Sequence, residues 1–434
     1  MANSHPDEAT PLLENGNGVV VRKPFSTRVA DIFKGDGQPS SLVSFKFFFF
    51  GSWLNVLLIF VPLAGLAHYL DWDAALRFAF SFVAIMPLAS LLGTATDQLS
   101  LELGQTLSGL LNASFGNAVE IIVGITALMQ GQIRIVQTSL LGSILSNLLL
   151  VLGCSFLAGG LRYSESNFQV TAAQASSSLM TLTCITLVIP AAYHSSKSHG
   201  GGFGNSTDSA YAHQSAKFLL NSLDTVVDGT DLDGPSESGL RIISRGTAIL
   251  LLIVYIAYLY FQLKSHAHLY EAAESDEEPE HARMNTVSAG ASLFGVTVMT
   301  AFCADWLVAS IEETAERYSI PKAFIGLILL PIVANAAEHV TAVWMALKNK
   351  MELTIGICVG SSIQIAAFVV PLLVIVGWIT RHDLTLFFAD FETIVLFVSV
   401  LLVNFLIQDG KSNYMEGLML VMLYLVIALA FWVS

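Results

Sequence analysis

Gly116-Asn117-Ala118-Val119-Glu120, followed 22 residues after its glutamate by Gly142-Ser143, recurs as Ala334-Asn335-Ala336-Ala337-Glu338, followed at the same interval by Gly360-Ser361. Every matched position in the second copy is numbered 218 higher than in the first. Three residues beyond each serine stands another polar side chain, Ser146 in one copy and Gln364 in the other. Both glutamates fall about 15 residues into apolar runs that contain no Lys or Arg. A carboxylate in hydrocarbon costs several kcal/mol unless it is paired, hydrated or protonated. Duplicated packing has no reason to keep such a residue twice, so Glu120 and Glu338 are the first candidates for a shared site.

The rest of the chain supplies the setting. Of 434 residues, 54% are apolar and 12% charged, against roughly 25% charged in a soluble domain. That balance excludes a soluble globular protein and a disordered one. A net charge of −14 with 20 Lys and Arg excludes a nucleic-acid binder. Eleven apolar runs have about the length needed to cross the hydrocarbon layer: Phe47–Tyr69, Ala74–Thr94, Gln105–Met129, Ile135–Leu161, Phe168–Tyr193, Leu240–Leu263, Val287–Ile311, Ala323–Leu347, Leu353–Trp378, Leu384–Ile407 and Tyr414–Val433. They lack period-2 alternation, so they read as helices rather than barrel strands. Asp390 and Glu392 make the tenth the weakest. The expected fold is an all-α integral membrane protein of eleven transmembrane helices. The expected divisions are a cytosolic disordered tail (1–46), a first helix (47–70), a repeat (74–263, with a luminal loop 194–239), an acidic linker (264–286) and a second repeat (287–434).

Glu120 lies in the third run and Glu338 in the eighth. An odd separation means that the two copies cross the membrane in opposite directions. Inverted repeats with a midplane site on interrupted helices are a recurring transporter plan. Eleven of the 20 Lys and Arg fall on the N-terminal side, five of them before the first run. The N-terminus is therefore placed in the cytosol and the C-terminus in the lumen. The sequon Asn205-Ser206-Thr207 then faces the lumen. The polar tail has no apolar core of a cleavable signal. The four cysteines sit in apolar runs without metal or pairing spacing.

The donors around the two glutamates are hard oxygens. Asn117 and Asn335, with Ser143, Ser361 and Gln364, add side-chain oxygens, and the small or weakly helix-forming residues at 116–118 suit a local break that frees carbonyls. Six to eight flexible oxygens suit Ca²⁺; no thiolate or His pair is placed for zinc or copper. Two carboxylates can hold one Ca²⁺ or two protons, not both, because like charges repel once the cation leaves. That exclusion is the logic of antiport. His339, beside Glu338, is either a hydrogen-bonded helix residue or a group tuning the neighbouring proton. Asp97 and Glu102 at one mouth, and Glu312, Glu313 and Glu316 at the other, read first as solvated charge and second as cation collectors. Six of the ten residues Glu271–Glu280 are acidic. On a helix Glu271, Glu274 and Glu278 share a face, and we read them as an accessory regulatory Ca²⁺ site. No channel-type ring and no Ser/Lys, Asp/Asp or zinc constellation of an intramembrane enzyme is present.

These paired elements, together with Gly142-Ser-Ile-Leu-Ser-Asn147 and Gly360-Ser-Ser-Ile-Gln364, resemble the calcium/proton exchanger (CAX) family of the calcium/cation antiporter superfamily, of the fungal vacuolar type. The resemblance implies a first helix plus two inverted five-helix repeats joined by an acidic helix. It implies a secondary antiporter, not an enzyme, moving Ca²⁺ from cytosol into the vacuole against protons, with no cofactor. It assigns cation coordination to Glu120 and Glu338, and matches Asn117, Asn335, Ser146, Ser361 and Gln364 to nearby family positions. The partners implied are Ca²⁺, protons and membrane lipid, with no nucleic acid. Ala334 in place of a glycine departs from the pattern and predicts a gentler break in the second copy. The alternative within the superfamily is a sodium-coupled or Mn²⁺-preferring exchanger. A sodium-coupled relative would carry an extra carboxylate on the helix after the motif, where Ser146, Asn147 and Gln364 stand here. Glu8-Ala-Thr-Pro-Leu12-Leu13 resembles an acidic dileucine signal read by a vacuolar sorting adaptor.

Overall fold

The computed structural model describes residues 39–103, 105–199, 235–266 and 282–433. Glu8, Leu12 and Leu13, the sequon at Asn205, and the acidic residues Glu271, Glu274 and Glu278 lie outside the described residues. The architecture is a helical bundle with one strand pair of two residues each, Ser166–Asn167 against Lys411–Ser412. Among the described residues seven unbroken helices are long and apolar enough to cross a membrane, and three bent pairs raise the number to ten. Asp390–Leu406, at 17 residues, spans only about 26 Å at 1.5 Å per residue and falls short of a crossing by itself. Its acidic residues, expected within the span, stand at its start. Asp390 and Glu392 occupy the first turn, so the helix starts six residues later than the apolar run Leu384–Ile407 suggests.

The first run is also corrected. Instead of one helix from Phe47, a helix Ser41–Phe50 meets Trp53–Tyr69 at 86°. The bend has a local cause. Ser52 is extended and its hydroxyl accepts from the Leu54 N–H at 3.3 Å. The Asn55 amide donates to the carbonyls of Phe48 and Phe49 at 2.9 and 3.1 Å, closing the end of the first helix. The expected tail therefore ends earlier, at the Ser40 cap. Helix Ser41–Phe50 is held to the start of Thr286–Arg317: the Asn285 N–H donates to Ser44 Oγ at 3.0 Å, and its side-chain amide to Pro39 O and Ser41 Oγ.

The inversion read from span parity is visible in the connections. The bent pair Leu107–Phe115 and Ala118–Met129 ends at Gln130–Gln132; the bent pair Lys322–Ala334 and Ala336–Leu347 begins just after Arg317. Glu312 joins these places, accepting from Gln132 Nε2 at 3.3 Å and Lys322 Nζ at 2.6 Å. One pair thus ends on the face where the other starts. Each pair is preceded by a long helix, Ala74–Leu103 or Thr286–Arg317, and these two pack together. Each is followed by a helix interrupted by a π-helical segment, Ser146–Val151 in one repeat and Ile365–Val369 in the other. Nothing in the apolar pattern announces these segments, yet they sit at equivalent places in the repeat. Wider turns of this kind are frequent at functional sites.

The repeats are also tied across their interface. Glu392, 1% exposed, accepts from Arg134 and from the Ala389 N–H at 3.2 Å. Gln137 donates to Thr385 O at 3.0 Å. Helix Ile133–Leu145 of the first repeat is thereby anchored to the segment leading into Asp390–Leu406. Arg134→Ala leaves a buried carboxylate without its cation. We expect a lower thermal midpoint in detergent, equivalent to about 1–3 kcal/mol given the half-exposed arginine, with Arg134→Lys recovering part of it. An unchanged midpoint would show that the pair contributes nothing.

Candidate cation-binding site

The site is built by two helix breaks. In the first pair the pivot is Asn117 (φ −115°, ψ 34°), and in the second it is Asn335 (φ −87°, ψ 10°). The halves diverge by 44° and 58°. The expectation that Ala334 softens the second break is overturned. The pivots are asparagines with negative φ, so no glycine freedom is needed at 116 or 334. Gly116 serves packing instead: a Cβ there would lie 3.3 Å from Gln364 Oε1. Beyond each pivot, the glutamate stands three residues along in the first turn of the second half-helix. The partial positive charge of a helix N-terminus favours a carboxylate at that place. The break thus offsets part of the burial of Glu120 and Glu338.

A hydrogen-bonded chain runs between the repeats. The Asn147 amide donates to Glu338 Oε2 and to Ser361 Oγ, each at 2.9 Å. Ser361 Oγ donates to Asn117 Oδ1 at 3.0 Å, and Asn117 Nδ2 donates to Gln364 Oε1 at 2.6 Å. Asn335 Nδ2 donates to the Ser143 carbonyl at 3.2 Å. Asn117 with Ser361 and Asn335 with Ser143 are the same pair under the 218-residue offset, a pseudo-two-fold expressed in contacts. Glu120 is 8% exposed. Buried polar groups in such a network rigidify it when satisfied.

Glu120 and Ser143 line a small cavity, with about 20 Å³ of room for the centres of water molecules, whose other walls include Val123, Ser139, Leu140, Leu307 and Leu330. Val123 lies beyond Glu120 towards Gln130, and Ser139 lies before Ser143 on the helix that starts at Ile133. The cavity therefore extends from Glu120 towards the face that carries the turn at Gln130–Gln132. There Gln130 Nε2 bonds Asp305 Oδ1 at 2.8 Å. The acids at that mouth are occupied: Glu312 pairs with Lys322 and Glu313 with Arg77. These pairs favour the solvated structural reading of those two acids over cation collection. The side chain of Glu102, at the opposite mouth, lies outside the described side chains.

The structure thus brings together Glu120, Glu338, Asn117, Asn335, Ser361 and Gln364. Ser146 is buried at the start of the first π-helical segment and stands outside the hydrogen-bonded chain. His339 is partly buried one residue past Glu338, and its side chain takes no part in that chain. Asn147 stands within the motif, but its reach across the repeats depends on a fold that spacing alone does not show.

Inverted repeats with a carboxylate just past each helix break define a membrane transporter, with oxygen donors that suit a hard cation. The chain belongs to the sodium/calcium exchanger protein family, whose sequence profile matches residues 74–264 and 288–433. It is 45% identical over 382 residues to the vacuolar calcium ion transporter of Schizosaccharomyces pombe, covering 88% of this chain and 85% of that one. It is 39% identical over 389 residues to the Ca²⁺/H⁺ antiporter of Aphanothece halophytica, covering 87% of this chain and 95% of that one. The crystal structure of the Ca²⁺/H⁺ antiporter protein YfkE matches with a TM-score of 0.68 and 32% identity, over 88% of this chain and 99% of that one.

The motif glycines differ in what surrounds them. A Cβ on Gly142 would collide with the Leu327 carbonyl and approach Pro331 Cγ to 2.6 Å, whereas one on Gly360 meets nothing within 4 Å. Gly142→Ala should push the two repeats apart next to Ser143 and abolish transport or folding. Gly360→Ala should retain at least half of the wild-type rate in sealed vesicles. Equal tolerance at both positions would contradict this packing.

Proposed function

We propose that this chain is a secondary antiporter that moves Ca²⁺ from the cytosol into the vacuole in exchange for protons, by alternating access around Glu120 and Glu338. The observation that carries the reading is the placing of the two glutamates just past repeat-related helix breaks, Glu338 in the cross-repeat hydrogen-bonded chain and Glu120 on the cavity beside it. The names of the similar proteins agree with it. Glu120, Glu338, Asn117, Asn335, Ser361 and Gln364 supply the oxygens for the cation, with Ser146 close behind them. Ca²⁺ holds the carboxylates ionised and together. When it leaves, their mutual repulsion is relieved by protons. Both loaded states leave the cavity near neutral, and a neutral cavity can be occluded in hydrocarbon. The empty dianionic one resists closure, which couples the two fluxes.

With the N-terminus in the cytosol, the face towards which the cavity extends is luminal. In this arrangement Glu120 releases Ca²⁺ to, and takes protons from, the acidic compartment. The sodium-coupled alternative is disfavoured because positions 146, 147 and 364, on the helices after the motifs, carry Ser, Asn and Gln and no carboxylate.

Glu120→Gln and Glu338→Gln should each reduce Ca²⁺ uptake, driven by an imposed pH gradient in proteoliposomes, to the level of empty vesicles. Wild-type rates from either variant would refute the assignment. Uptake that follows a sodium gradient at uniform pH would replace the proton-coupled reading with the sodium-coupled one.

A further inference from the structure

The two glutamates are repeat-related, but their surroundings are not. Asn147 is 0% exposed and spends both amide hydrogens on the site, one on Glu338 and one on Ser361. Through Ser361 it also fixes Asn117 and, beyond that, Gln364. It stands in the first turn of the π-helical segment Ser146–Val151. The position 218 residues on is Ile365, also 0% exposed and also at the start of a π-helical segment, Ile365–Val369. The backbone device is duplicated; the amide is not. Among the described residues no side chain hydrogen-bonds Glu120, which lines the cavity instead.

The second repeat shows what packing alone selects at this place: a β-branched apolar residue. Asn147 is retained although its Oδ1 is buried and has no partner among the described residues. A buried, unpaired acceptor is unfavourable and rare, so the benefit lies with the two donors. An amide with both hydrogens engaged cannot turn without breaking both bonds, and it holds one carboxylate oxygen in a fixed direction.

We propose that Asn147 is a positioning residue that fastens Glu338 and not Glu120. The two motif glutamates are therefore mechanically unequal: Glu338 is a fixed wall of the cation site, and Glu120 is the carboxylate that reorients between site and cavity. This rests on the exchanger reading and adds to it which carboxylate receives the ion from the cavity and which one is preset. Preorganised ligands raise affinity by reducing the ordering required on binding. Loss of Asn147 thus acts on cation affinity before it acts on turnover.

The test is the Ca²⁺ dependence of initial uptake rates in proteoliposomes under a fixed pH gradient. Asn147→Ala should raise the apparent KM for Ca²⁺ about tenfold, the effect of losing hydrogen bonds to a charged group, with the maximal rate within about a factor of two. Asn147→Ser keeps one donor and should lie between alanine and wild type. Asn147→Asp has the same shape and no donor, and should be at least as impaired as alanine. Ile365→Val, at the equivalent position, should leave KM unmoved. An unchanged KM in Asn147→Ala, or an equal rise at 147 and 365, overturns the inference. If the alanine variant does not give a monodisperse protein, the serine and aspartate variants decide. A lower KM for serine than for aspartate supports positioning by donation; aspartate behaving as wild type overturns it. Absence of proton-driven uptake in the wild-type chain overturns the exchanger reading and this inference with it. Normal wild-type uptake with an unmoved KM in the variants overturns this inference alone.

Discussion

Two carboxylates held at hydrocarbon depth, in helices that contain no lysine or arginine, set the terms for the rest of the structure. A charge there is tolerated only where protein dipoles, water or a counter-ion replace bulk solvent. The chain supplies the first two. Each helix breaks at an asparagine three residues before its glutamate, so each carboxylate stands in the first turn of a half-helix. Asn147, Ser361, Asn117 and Gln364 then form a bonded chain that ends on Glu338, and a cavity reaches Glu120. The third, the counter-ion, is in the proposed mechanism the transported cargo. A site that is stable only when loaded is what an exchanger requires.

Duplication with inversion solves the geometric half of the problem. Each repeat contributes one carboxylate and one asparagine, and the cross-repeat pairs Asn117–Ser361 and Asn335–Ser143 close the site at the interface. Because the repeats run oppositely, the same contacts can be made with either face open. The anchoring of helix Ile133–Leu145 by Arg134 to Glu392 and by Gln137 to Thr385 lies on the face towards which the cavity extends. The symmetry is incomplete where chemistry needs direction: amide against isoleucine at 147 and 365, and crowded against open glycine at 142 and 360.

Much of this was legible in the sequence, for physical reasons. Charge is so unfavourable in hydrocarbon that Glu120 and Glu338 stand out against their runs, and the constant offset of 218 pairs them before any fold is known. The small and weakly helix-forming residues at 116–118 marked the first break. The readings that failed depended on geometry that hydropathy does not encode. The turn at Ser52 is made by side-chain caps inside an apolar run, so Ser41–Phe50 and Trp53–Tyr69 read as one span. Asp390 and Glu392 sit at a helix start, and Glu392 pairs with Arg134, 258 positions away, so local sequence could not move them out of the expected span. Ala334 suggested a gentle second break because glycine was credited with the bend, whereas the asparagine pivot makes it. The π-helical segments and the reach of Asn147 are tertiary properties with no local signature.

The central claim is that Ca²⁺ and protons occupy the same pair of carboxylates and exclude one another. Proton release on adding Ca²⁺ to the detergent-solubilised chain in weakly buffered solution tests this directly, without a membrane or a gradient. The account predicts protons released in proportion to the Ca²⁺ bound, with the release lost in Glu120→Gln and Glu338→Gln. Ca²⁺ binding to the wild-type chain with no accompanying proton release would contradict it.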